Sequence, residues 1–221
     1  MSTAERQAES CSAAELRRAS KTVFFPPGCE DTLADEQREF FREVADPDGG
    51  FASGCVAVEN GSDFKSPVNL AIADATPERK FIRELCQRPT ALKLDAWLKN
   101  THVGFYKIDY AWKKGEHPKR GEFSPDFFIK QHNRIFVVEV KGDEEIKEPS
   151  PENVKKHEFA REHFARLNEW LEKVGSPARY QFNMVTPRDF TTFFTKLREG
   201  ELAGFRSNLD TAILPLADEK K

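Results

Sequence analysis

Phe123-Ser124-Pro125-Asp126-Phe127-Phe128-Ile129-Lys130-Gln131-His132-Asn133-Arg134-Ile135-Phe136-Val137-Val138-Glu139-Val140-Lys141 is two apolar runs about a polar turn. Proline can begin a strand but not sit in its middle, so Pro125 sets Asp126 near the start of the first run. Gln131-His132-Asn133 supplies turn chemistry, and the expected product is a β-hairpin. Antiparallel pairing then lays Asp126 beside the far end of the second run, close to Glu139 and Lys141. Side chains alternate along a strand, so Glu139 and Lys141 share one face while Val138 and Val140 take the other. Ile135-Phe136-Val137-Val138 reads as a strand buried on both faces, and a carboxylate directly after such a run is costly unless Lys141 or a metal compensates it.

Carboxylate oxygens are the hard ligands magnesium selects, and it commonly takes one or two of them, leaving the rest of its shell to water and phosphate. A lysine alongside can orient or help deprotonate an attacking water and offset charge growing on phosphorus. This is the equipment of metal-dependent phosphodiester hydrolysis. The bare spacing fits equally a hairpin whose Asp and Glu are solvated and whose Lys pairs with one of them. A third acid follows from helical phase. Thr76-Pro77 opens a helix with Thr at the cap and Pro at its first position. At 100° per residue, Phe81, Ile82 and Leu85 surround the direction of Glu78, which places it inward, whereas Glu84 lies off that face. Complementing the helix dipole is the alternative role for Glu78.

These residues resemble the PD-(D/E)xK nuclease superfamily, and the wider stretch resembles the endonuclease domain of type III restriction enzymes. The likeness runs from Phe64-Lys65-Ser66-Pro67-Val68-Asn69 through PERKFIREL, LDAWLKN, GFYKIDYAWKKG, FSPDFFIK, IFVVEVKGDEE, AREHFARLNEWL and YQFNMVTPRDF, about two thirds of the chain. It implies an α/β, restriction-endonuclease-like mixed central sheet flanked by helices. It also implies a DNA endonuclease of a restriction or DNA-defence system, using Mg2+ with Mn2+ as substitute. The catalytic residues would fall on Lys141, Asp126, Glu139 and Glu78, and the metal ligands on Asp126, Glu139, the Val140 carbonyl and Glu78. Such domains normally follow a helicase motor, yet the chain has no G-x-x-x-x-G-K-[ST] phosphate loop. The implied partners are therefore DNA and a helicase/translocase or methyltransferase subunit. The rival reading is a catalytically silent nuclease-fold domain that binds DNA or docks a motor subunit. A homodimer is a common way for one-site nucleases to cut both strands, although no residue marks an interface.

Composition sets the frame. At 221 residues the chain can bury a real core, and its formal charge of −3 argues against a protein that coats nucleic acid indiscriminately. The first twenty residues lack an apolar signal stretch and no run of eighteen apolar residues occurs, so a cytoplasmic protein without membrane contact is expected. Cys11, Cys29, Cys55 and Cys86 are scattered, which indicates neither a zinc site nor a disulfide framework. Local charge is uneven. Lys113, Lys114, Lys119 and Arg120 crowd a segment expected to be a loop, either a phosphate-tracking element or a solvated tip. From Asp143 to Glu152 acids predominate, and a mobile loop is expected there.

Helix punctuation organises the rest. Ser150-Pro151 opens a helix running to about Val174 before Gly175, with a buried stripe of Ala160, Phe164, Leu167, Leu171 and Val174. Lys156 and His163 project from that stripe. Lys156 is a candidate for the scissile phosphate or a snorkelling lysine, His157 is a weaker candidate still, and His163 is expected to be a satisfied core histidine rather than a ligand. Arg179 to Val185 reads as a strand, and Thr186-Pro187 opens a last helix ending near Gly200. Trp97, Trp112 and Trp170 read as packing residues. The expected order is helix, a three-strand meander beginning at Val103–Tyr110, helix, strand, helix. It divides as 1–70 an N-terminal extension or small subdomain, 71–200 the nuclease domain and 201–221 a C-terminal tail. Phe51 to Asn69 is expected to supply two short strands, and residues 30–48 carry eight acids.

Overall fold

The computed structural model describes residues 55–58, 65–66, 70–73, 75–100, 106–114 and 117–218. In chain order the elements are β1 (Cys55–Ala57), β2 (Leu70–Ile72), α1 (Thr76–Cys86), α2 (Arg88–Ala91), β3 (Ala96–Lys99), β4 (Ile108–Lys114), β5 (His117–Phe123), β6 (Phe127–Gln131) and β7 (Arg134–Val140). There follow α3 (Glu144–Lys147), α4 (Pro151–Lys173), β8 (Arg179–Val185), α5 (Phe190–Glu199) and α6 (Asn208–Asp218). A four-stranded mixed sheet in the order β3-β6-β7-β8 forms the centre. Its first three strands are antiparallel and β8 joins β7 in parallel. The protein is thus mixed α/β, with helices on both faces of a mixed sheet.

The hairpin read from sequence forms. Gln131 pairs with Arg134 across a two-residue turn, in which His132 takes the left-handed conformation (φ 55°). Asp95 Oδ2 holds that turn by accepting from the His132 N–H at 2.6 Å. The register sets Phe127 opposite Val138, which carries Asp126 to the level of Glu139 and Val140.

Alternation along the strands then builds two cores. Phe127, Ile129, Phe136, Val138 and Val140 face α1 and α5, where Phe81 meets Phe127, Phe190, Phe193 and Phe194 with ring centroids 4.8–5.5 Å apart. Val137, Phe182 and Met184 face the other way, against Val154, Ala160 and Phe164 of α4, Leu209 and Ile213 of α6, and Ile108, Tyr110 and Phe123 of the β4–β5 hairpin.

Several expectations are corrected. The strand beside the hairpin is β3, four residues ending in Lys99, while β4 pairs with β5 in a separate two-stranded ribbon, so among the described residues the expected three-strand meander does not form. Residues 113–120, expected as a loop, lie largely in that ribbon, with Lys114 opposite His117. The acidic stretch after β7 is the short helix α3, tied down where Glu145 accepts from the Ser150 N–H at 2.9 Å. The segment from 201 onward is no simple tail, since α6 buries Leu209, Asp210 and Ile213. On α4 the buried stripe is Val154, His157, Ala160 and Phe164; it fades toward the C-terminus, leaving Val174 55% and Trp170 37% exposed. Of the two strands expected within 51–69, β1 falls inside and β2 just beyond. The first fifty residues, including the acidic run at 30–48, the side chain of Trp112 and residues 219–221 lie outside the described residues.

At α1 the cap position is Ala75, with no side-chain cap, and Thr76 is the first helical residue rather than the cap expected; the other helix signals are obeyed. Ser150 caps α4 by accepting from the Asn153 N–H, Thr186 and Asp189 form a reciprocal capping box ahead of α5, and Gly175 and Gly200 end their helices at φ 73° and 77°. Trp97 is buried at 2%. Among the described residues no helix is long and apolar enough to cross a membrane.

Candidate active site

The C-terminal end of β7 brings the expected residues together. Glu139 belongs to the α4 side of the sheet, since its apolar neighbours Val138 and Val140 face α1 and α5. Its Oε1 accepts a 2.5 Å hydrogen bond from Lys141 Nζ, whereas the buried Oε2 has no partner. Asp126 arrives from the start of β6, and its Oδ2 accepts from the Val140 N–H at 2.8 Å, clamping the two strand ends. Burial, and then the neighbouring Asp126 carboxylate, push the Glu139 carboxyl up to about 8, against the opposing pull of Lys141 and Lys156. Burial alone would depress Lys141, but Glu139 and Asp126 more than reverse this and hold it as an ammonium.

Glu78 projects from the first turn of α1 and does approach, but by way of a residue the sequence did not single out. Lys99, at the end of β3, places its Nζ 3.0 Å from Glu78 Oε2 and 3.2 Å from Asp126 Oδ1, and donates to the Asn100 carbonyl at 3.2 Å. Its side chain is 5% exposed and lies 5.0 Å over the Phe127 ring. Burial disfavours its charge, yet Asp126 and Glu78 raise its pKa overall. Among the described residues no three His, Cys, Asp or Glu side chains stand as a ready metal-binding cluster, and the Lys99 ammonium sits between Glu78 and Asp126. Asn100 adds a second buried acceptor without a partner, Oδ1, while its N–H donates to the Asp126 carbonyl at 2.7 Å.

The donor set still suits magnesium. Two carboxylates are the usual protein contribution to that ion. Among the described residues no hydrogen-bond donor reaches the buried Oε2 of Glu139. The Val140 carbonyl stands between Glu139 and Lys141 in the chain, at the same strand end.

On the α4 side Lys156 comes close enough for Glu139 to feel its charge. It pairs with Glu152 Oε1 at 2.8 Å, and that oxygen also accepts from the Tyr110 hydroxyl at 2.9 Å. Tyr110, likewise missed in the sequence, is pushed up to about 12 by burial and by the Glu152 carboxylate. Of the basic residues on the β4–β5 ribbon, Arg120 is exposed and opposite Ala111. Lys113, Lys114 and Lys119 are placed by backbone register alone, their side chains lying outside the described residues. His163 is a satisfied histidine, 2.6 Å from the Tyr106 hydroxyl. His157 is buried and pairs with Asp210 at 3.1 Å, inside the second core.

Comparison with known proteins adds little to this geometry. No known family's sequence profile and no curated protein matches the chain. Among solved structures it is similar to protein VC1899 from Vibrio cholerae, with 10% identity over 98% of this chain and a TM-score of 0.22. The chain spans half the length of that protein, and so slight a likeness carries no argument about fold or function.

Proposed function

We propose that this protein is a divalent-metal-dependent DNA endonuclease with a restriction-endonuclease-like fold, in which Asp126, Glu139 and the Val140 carbonyl hold Mg2+. The observation that carries the reading is the buried, unpartnered Oε2 of Glu139 beside a second carboxylate and a clasped lysine. A bound magnesium ion would supply Lewis-acid polarisation of the phosphate and a more acidic water. Asp126, in the bend just before β6, and Glu139, on β7, would hold the ion at adjoining strand ends. Lys141, held protonated, donates to the attacking water or a phosphate oxygen and stabilises negative charge as it develops on phosphorus. Glu78 acts from one step away, through Lys99. Lys156, paired with Glu152 and near Glu139, is the candidate contact for a DNA backbone, and the β4–β5 ribbon packs beside the same helix. The resemblance of the sequence to type III restriction nucleases supports placing it in a restriction or DNA-defence system, where a translocase or methyltransferase subunit delivers the DNA.

Supercoiled plasmid incubated with the full chain and Mg2+ or Mn2+ tests the reading. Nicking or linearisation is expected, falling by about 10²-fold or more in Asp126→Ala and Lys141→Ala, the scale for losing one stabiliser of transition-state charge. Cleavage undiminished in both variants overturns the site.

The pairing of acids with Lys99 and Lys141 favours one second reading, a silent nuclease scaffold that binds DNA or a motor subunit. Calorimetry showing DNA binding, with no metal binding that depends on Asp126 and Glu139, would select it.

A further inference from the structure

Lys99 is bound as a coordinated ion would be. Its ammonium has three protons to donate, and it meets three acceptors, Glu78 Oε2, Asp126 Oδ1 and the Asn100 carbonyl, at 3.0, 3.2 and 3.2 Å. The side chain is 5% exposed and anchored on a central-sheet strand, so the charge cannot swing out to water without breaking all three contacts. We propose that Lys99 is a resident cation that fills, between Glu78 and Asp126, the place a second divalent ion would take, so that the centre binds a single metal ion at Asp126 and Glu139. The inference rests on the metal-dependent reading above.

Charge balance supports it. Taken by themselves, the five side chains Glu78, Asp126, Glu139, Lys99 and Lys141 carry one net negative charge when all are ionised. One divalent ion turns that into a single positive charge, matched to the charge of a phosphodiester. A second would leave three positive charges in a largely buried volume, where unpaired charge is strongly disfavoured. Without Lys99, Glu78 and Asp126 would lose the ammonium they share, and a second divalent ion could take its place between them. Lys99 is therefore a positioning residue that sets how many metal ions the site accepts.

Counting bound Mn2+ by electron paramagnetic resonance, on the full chain at saturating metal, tests this without reference to cleavage. Wild type is expected to bind one ion, Lys99→Arg one, and Lys99→Met two, with the thermal midpoint of Lys99→Met lowered in chelator and regained with Mn2+. Two ions on wild type, or one on folded Lys99→Met, overturns the inference and leaves the proposed function standing. No ion on wild type overturns the metal-dependent reading itself. Should Lys99→Met fail to fold, the wild-type count alone decides between one ion and two.

Discussion

Replacing Glu139 with glutamine should stabilise the metal-free protein while abolishing its activity. Glutamine matches the protonated acid in shape but never ionises. The carboxyl of Glu139, ordinarily near 4.5, is held at about 8 by burial and by Asp126. A group whose folded pKa lies above its unfolded one binds its proton more tightly in the native state. Stability therefore falls as pH rises between those two values, and the full penalty is present above about 8. At about 1.4 kcal/mol per pH unit the gap sets a ceiling of about 5 kcal/mol, and local relaxation brings the expected effect to about 2–4 kcal/mol. Urea denaturation of wild type and Glu139→Gln in chelator, at pH 5, 7 and 8.5, reads it directly. The two should be nearly equal at pH 5, and the variant should gain steadily toward pH 8.5. Saturating Mg2+ at pH 8.5 should then stabilise wild type and leave the variant unmoved. Parallel pH profiles, or a variant less stable than wild type at pH 8.5, would refute the reasoning.

Phe81→Ala removes the ring around which α1, β6 and α5 pack, and should cost about 3–5 kcal/mol in the same denaturation assay. Asp210→Ala should cost about 3–5 kcal/mol, because it strands buried donors on His157, Asn183 and Met184. His163, depressed by burial and by Arg166, takes up a proton less readily folded than unfolded. Stability present above its ordinary value of 6.5 is therefore lost as pH falls through it, and His163→Gln should lose less than wild type between pH 7.5 and 5 in thermal melts.

How much of this was legible follows from where each signal resides. The β6–β7 hairpin, α4 and β8 are written in local periodicity, proline and turn residues, and the meeting of Asp126 with Glu139 and Lys141 follows from hairpin register alone. Strand β3 was not legible as an element. At four residues it is too short for alternation to stand out, and its Lys99 is a core-facing charge whose reason is visible only once Glu78 and Asp126 arrive from elsewhere. The β4–β5 ribbon was hidden by composition, since Lys113, Lys114, Pro118, Lys119 and Arg120 have weak strand preference and tertiary packing of Ile108, Tyr110 and Phe123 decides the matter. Helix α6 did carry a signal, Leu209, Ile213 and Leu216 at helical spacing, obscured by Pro215 within it.

Two buried acids, Glu139 on β7 and Asp210 on α6, separate structure from function within one molecule. Asp210, 4% exposed, accepts from His157, Asn183, Ser207 and the Met184 amide, so every part of its burial is answered by a donor. Glu139, 5% exposed, has one donor for two oxygens and a second carboxylate for a neighbour. A fold that needed only stability would fill the position after Val138 with another apolar side chain, as it does at Val140, or would satisfy the acid as it satisfies Asp210. Removing each acid should accordingly move stability in opposite directions above pH 8, down for Asp210→Ala and up for Glu139→Gln. If both variants lose stability there, Glu139 is a structural acid like Asp210, and the case for a cation at its free oxygen fails with it.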